Sequence, residues 1–140
     1  MQTLDPFAAF IAEHHILTLA TQSGDTPQCA TLFYAFDLER ICFIVASESQ
    51  TEHIQNALQY PDVAGAIALE THEIGKIRGL QFKGVLTQSI EAADSTLYYS
   101  VFPYARMMRP TFWLLHVTSM KLTDNRLGFG KKLTWPEALA

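Results

Sequence analysis

Residues 41–61, ICFIVASESQTEHIQNALQYP, pass from one kind of structure into another within a few positions. Ile41 to Ala46 is β-branched, aromatic or small throughout, the pattern of a strand buried on both faces. Ser49-Gln50-Thr51-Glu52 then has the form of a capping box, in which the serine hydroxyl takes an orphan amide and the glutamate reaches back. Ile54, Ala57 and Leu58 supply the buried stripe of a helix that Pro61 stops. Hydroxyl residues thus stand where a strand hands over to a helix. Amides left unpaired at a helix start, together with the helix dipole, favour an anion there. The same side chains also serve as plain caps, and the residues alone leave both readings open.

Working outward, Asp5-Pro6 reads as an N-cap followed by proline at the first helical position, with Phe7, Phe10 and Ile11 at helical spacing and an end near His14. Ile16–Thr21 alternates, Ser23-Gly24-Asp25 is turn chemistry, and Cys29–Phe36 and Ile41–Ala46 flank the turn Asp37-Leu38-Glu39-Arg40, giving a three-stranded meander. Val63–Leu69 is a fourth strand. Lys76–Ile90 is a fifth, bent strand with Gly79 and Gly84 where a kink or close backbone approach is needed. Asp94–Phe102 is helical and ended by Pro103, Thr111–Thr123 is the last strand, and 124–132 is a loop. Six or so strands that do not alternate with helices exclude a doubly wound parallel sheet. The expectation is one mainly β (α+β) domain over residues 1–140, a small antiparallel barrel with short flanking helices.

The 140 residues are 49% hydrophobic and only 17% charged, against a usual ~25%. The longest apolar run is six residues, far short of the ~20 of a membrane span, and the start Met-Gln-Thr-Leu-Asp-Pro is no secretory signal. A cytoplasmic protein that does not engage membranes is expected. Low charge, with Phe33, Tyr34, Phe36 and Trp113 as surface candidates, points to a homodimer. Residues 1–75 carry a net charge of -9 with Arg40 as their one cation, while 76–140 carry +5. Any anion must therefore find its bases in the second half. Those bases are scattered and the chain is acidic, which argues against nucleic acid. Cys42 is placed opposite a residue near 35, ~20 Å from Cys29, so both thiols are expected to be buried and unbridged.

The run from Ser47 resembles the FMN-binding split barrels of the pyridoxamine 5′-phosphate oxidase-like superfamily. That family has a small hydroxyl residue at the strand end, then three residues, a serine, one residue and a lysine, before a helix closed by proline. Ser47 falls on the first hydroxyl, Thr51 on the serine and His53 on the lysine. A basic residue of the oxidases early in strand two falls on Cys29. Their last-strand tryptophan and following arginine correspond to Trp113 and Arg126, with two extra residues between. The resemblance extends over nearly the whole chain to a small bacterial branch. It implies FMN as cofactor, a dimer with sites between subunits, and an oxidoreductase-like activity on a small molecule other than pyridoxamine phosphate. No side chain is assigned a catalytic role, since the flavin does the redox chemistry.

Gln81 and Lys83 share one face of the fifth strand and Leu80 and Phe82 the other. The polar face is either aimed at the ligand across a dimer interface or simply solvated. Arg126, Lys83 and the Lys131-Lys132 tail are the expected cations of the site, and the glycines flanking Phe129 form a candidate anion nest. His53 is expected to be protonated when a phosphate is bound. The other histidines form no metal pair, so no metal is expected. His116 reads as a core or interface histidine with a partner; with His53, Met107 or Met108 it is also the candidate ligand set for haem, the less favoured cofactor. No nucleophile elbow, cysteine-histidine pair or paired-carboxylate signature supports a hydrolase. The alternative to a flavoenzyme is a dimeric binding module that has lost FMN or takes haem or another anion.

Overall fold

Residues 4–137 are described by a computed structural model. The apolar run at its centre becomes β3 (Cys42–Ala46), a strand covered on both faces. Phe43 and Val45 point into the main core with Phe7, Phe10, Leu17, Leu19, Phe82 and Leu115. Cys42 and Ile44 point the other way, into a second small core with Ala35, Tyr98 and Leu114. The remaining strands are β1 (Ile16–Ser23), β2 (Thr26–Asp37), β4 (Asp62–Ala68), β5 (Arg78–Gln88), β6 (Phe112–Asp124) and β7 (Lys132–Trp135). They are hydrogen-bonded in the order β3-β2-β1-β4-β5-β6-β7, every pair antiparallel. β3 also pairs with β6, Cys42 opposite His116 and Ala46 opposite Phe112, so six strands close a ring and β7 lies outside it on β6. Ring closure pairs the edges that an open sheet would leave exposed.

Three helices flank the ring: α1 (Asp5–Glu13), α2 (Glu52–Gln59) and α3 (Ala92–Val101). α1 buries Phe7, Phe10 and Ile11, as their spacing predicts, but starts at Asp5, with Leu4 as N-cap. Its last turn is fixed by the Tyr34 hydroxyl, which donates to the Ile11 carbonyl at 2.6 Å. α3 is tied to the β2–β3 turn by Asp94, which is 1% exposed and accepts from Ser89 Oγ at 2.7 Å and from the Arg40 guanidinium. Arg40 also pairs with Asp37 at 2.7 Å, so the first half's one cation is spent on the hairpin.

β5 bends where expected. Its register against β6 slips between Lys83 and Gly84, and a Cβ at Gly84 would lie 2.5 Å from the His116 carbonyl oxygen. Only glycine lets two backbones approach that closely. Gly79 has no such constraint, since its nearest neighbour would be 3.6 Å away.

Several expectations are corrected. Tyr34 and Trp113 are 3% and 2% exposed and Phe36 is half-buried; of the four proposed surface aromatics only Phe33 is open to solvent. Cys42 stands opposite Asp37, and Cys29 is exposed, because the outward face of β2 at that level is uncovered. The segment 124–132 is not wholly loop: a 3₁₀ turn, Asn125–Leu127, precedes β7, which already includes Lys132. Among the described residues no helix is long and apolar enough to cross a membrane.

Candidate cofactor site

β3 ends at Ala46, and its direction is held one residue further because Ser47 N donates to the Thr111 carbonyl at 3.0 Å. The Ser47 carbonyl in turn accepts from the buried Trp113 indole Nε1 at 2.8 Å. The tryptophan therefore acts as a strut beneath the strand–helix junction, and its indole has little surface left for a ligand.

Above the strut three polar side chains converge. Ser47 Oγ is 2.7 Å from His53 Nε2 and 3.4 Å from Thr51 Oγ1, and Thr51 Oγ1 is 3.3 Å from His53 Nε2. The capping box is not formed. Thr51, not Ser49, is the N-cap of α2, and its hydroxyl turns away from the helix to donate to the Glu48 carbonyl at 2.9 Å. Ser49 contributes its carbonyl, which Gln55 Nε2 reaches at 2.6 Å. With no capping side chain on it, the start of α2 leaves its first amides and the positive end of its dipole facing the hydroxyl cluster. Burial lowers the His53 pKa from its ordinary value, which favours the neutral imidazole in the ligand-free protein.

A cavity of about 450 Å³ opens beside Ser47, walled by residues 46–50, Tyr98, Ala105 and residues 108–111. This lies within the ~300–1,000 Å³ of small-molecule sites. Arg109 is the one lysine or arginine on its wall. Sequence reasoning did not name it. The available signal was register: if Ala46 pairs with Phe112, the residues just before β6 must flank Ser47.

Gln81 and Lys83 lie elsewhere. They project from the outer face of β5, while Leu80 and Phe82 go into the core as the period of two requires. With Lys121, Ser119, Thr134 and Trp135 they line a separate cavity of about 500 Å³. Arg126 is farther still, at the opposite end of β6 from Ser47. It is bound in two places to Asp124, at 3.0 and 2.9 Å, and this pairing holds the Asp124 carboxyl below the usual carboxylate range. Within the chain Ser47, Thr51 and His53 are thus together over Trp113, Gln81 and Lys83 form a second group, and Arg126 joins neither.

Lys131 and Lys132 are exposed. The glycine nest beside them is not available, since Gly130 N donates to Asn125 Oδ1 at 3.0 Å and Gly128 N to the Asn125 carbonyl at 3.2 Å. His116 has the partner expected of it, Thr87 Oγ1 at 2.9 Å. Met107 and Met108 are exposed. Among the described residues no three His, Cys, Asp or Glu side chains gather as a metal centre.

No protein-family model matches the chain. It is 36% identical over 141 residues to a UPF0306 protein of Cronobacter sakazakii, covering 99% of this chain and 98% of that one. Three solved structures share the fold at low identity. A NimC/NimA family protein from Clostridium acetobutylicum superposes with a TM-score of 0.70 at 18% identity, over 94% of this chain and 90% of that one. A FAD-binding protein from Mesorhizobium loti gives 0.70 at 11%, over 86% and 92%. A haem-binding protein from Mycobacterium smegmatis gives 0.72 at 16%, over 89% of this chain and 53% of that longer one. The fold these structures share with the chain is a split β-barrel.

Proposed function

The chain belongs to the UPF0306 family, and we propose that it binds FMN as an oxidoreductase-like flavoprotein acting on a small molecule. The observation that carries this reading is the convergence of Ser47, Thr51 and His53 at the uncapped start of α2, beside a cavity of ligand size. The donor set suits a phosphate monoester: two hydroxyls, an imidazole and helix amides supply several donors to its oxygens. Trp113 fixes the junction on which they stand.

The second cavity, with Gln81 and Lys83, is the complementary half of the site, presented by one protomer of a homodimer to the cofactor held by the other. Bound there, the flavin would supply hydride-transfer chemistry through its ring. The protein's part is to grip the phosphate, orient the ring and exclude water. That a FAD-binding and a haem-binding protein share the fold supports a planar, anionic cofactor of this size. Flavin is the better fit than haem, because His53 on α2 and His116 on β6, the candidate iron ligands, are each engaged by a hydroxyl.

Absorbance and fluorescence of freshly purified protein, before and after FMN addition, test the reading. Quenching of flavin fluorescence to a stoichiometric end point is the expected result. A Soret band would assign haem instead, and a colourless protein that leaves FMN fluorescence unchanged would make the chain a binding module for another anion.

A further inference from the structure

A phosphate monoester carries close to two negative charges near neutral pH, and the hydroxyl cluster can offset at most one of them, through a proton taken up by His53 on binding. Most of the chain's bases are engaged elsewhere. Arg40 is held by Asp37 and Asp94, Lys76 by Glu73, Arg78 by Glu13 and Arg126 by Asp124. Arg106 stacks on Tyr99, its guanidinium carbon 4.6 Å from the ring centroid. Lys83 and Lys121 line the other cavity. Arg109 shares the wall of the Ser47 cavity and has no carboxylate within ion-pair distance among the described residues.

Its backbone is left-handed, at φ 47° and ψ 56°, closing the 3₁₀ turn Pro103–Met108 immediately before β6. That conformation favours glycine and costs energy in any residue with a Cβ. Ser47, Ser49, Tyr98 and Met108 line the same cavity. The cavity thus carries one guanidinium and two serines among its lining residues.

We propose that Arg109 is the cation that grips the phosphate of the bound cofactor, taking over the charge that a lysine at His53 and a base at Cys29 would otherwise supply. This rests on the flavin reading. Arg109 lies in the cationic second half of the chain but belongs to the same protomer as Ser47, so the grip does not depend on Arg126 or the Lys131-Lys132 tail. Glu48, exposed, also lines the cavity. Its carboxylate repels the phosphate through water and sets an upper limit on affinity.

FMN and riboflavin, which differ by the phosphate alone, are titrated into wild type, Arg109→Gln, Arg109→Gly and Arg109→Lys by flavin fluorescence. Removal of a charge-assisted contact predicts a loss of about tenfold or more in FMN affinity for the Gln and Gly variants. Riboflavin affinity stays within twofold, and Lys restores part of the FMN affinity. The Gly variant guards against misfolding, because glycine suits the left-handed position. Glu48→Gln is expected to tighten FMN and leave riboflavin unchanged. If the wild type binds FMN and the Gln and Gly variants match it within twofold, Arg109 is not the phosphate cation, and the flavin reading stands. Equal losses for FMN and riboflavin would also overturn the assignment. If the wild type binds neither flavin, the flavin reading falls and this inference with it.

Discussion

His53 shows how one residue sets a pH response. Burial lowers its pKa from the ordinary 6.5, so the unfolded chain takes up the proton first as pH falls. The ligand-free protein therefore loses stability as pH drops below the unfolded value, and regains it above. A bound phosphate acts in the opposite direction, raising the pKa, so that binding takes up a proton. FMN affinity is expected to fall between pH 6 and pH 9, and His53→Gln is expected to flatten that dependence; a wild-type affinity constant over the range would remove His53 from the site. Trp113 makes a stability prediction at the same scale. Trp113→Phe leaves the Ser47 carbonyl without its donor and is expected to cost about 1–3 kcal/mol in urea unfolding, with FMN binding weakened because the junction loosens. The hydroxyls and His53 were legible in the sequence because their spacing along one short segment fixes their neighbourhood. Arg109 was not, because it meets Ser47 only through the pairing of strands far apart in the chain.

At the scale of elements, the bend in β5 is the feature on which the ring depends. Gly84 sits at the register slip, where the obstructing atom is a backbone oxygen that cannot swing aside. Gly84→Ala is expected to destabilise by about 1–3 kcal/mol, the usual cost of overpacking. Gly75→Ala, where an added Cβ meets nothing within 4 Å, is expected to be near neutral in the same thermal melt. Equal stability of the two variants would contradict the account of the bend. The strands and helices could be read in advance because each carries its own period: two for β5, three to four for α1 and α2. β7 could not. Four residues with one half-buried apolar position and an aromatic at the end carry too little periodicity, and the strand exists because β6 offers it an open edge beyond the ring. The capping box failed for a related reason. A motif match specifies which bonds are available, and here the helix starts later, with Thr51 as N-cap, the Thr51 hydroxyl on the Glu48 carbonyl and Gln55 Nε2 on the Ser49 carbonyl.

At the scale of the molecule, the charge asymmetry read from the sequence becomes a matter of position. The acidic first half supplies the hydroxyl junction, and the basic second half wraps round to it through β6 and the turn before it. The ring closes one core and leaves the Gln81–Lys83 cavity on its outer face, where on the proposed reading a second protomer would complete the site. Phe33, 53% exposed on β2 beside Phe102, belongs with the apolar surface that a homodimer would cover. The central claim, one flavin held per protomer of a two-fold dimer, is tested most directly by size-exclusion chromatography with light scattering and flavin absorbance on protein incubated with FMN. The account predicts a single peak at twice 15.7 kDa carrying one flavin per chain. A peak at 15.7 kDa, or a protein peak of either mass from which the flavin has separated completely, would contradict it.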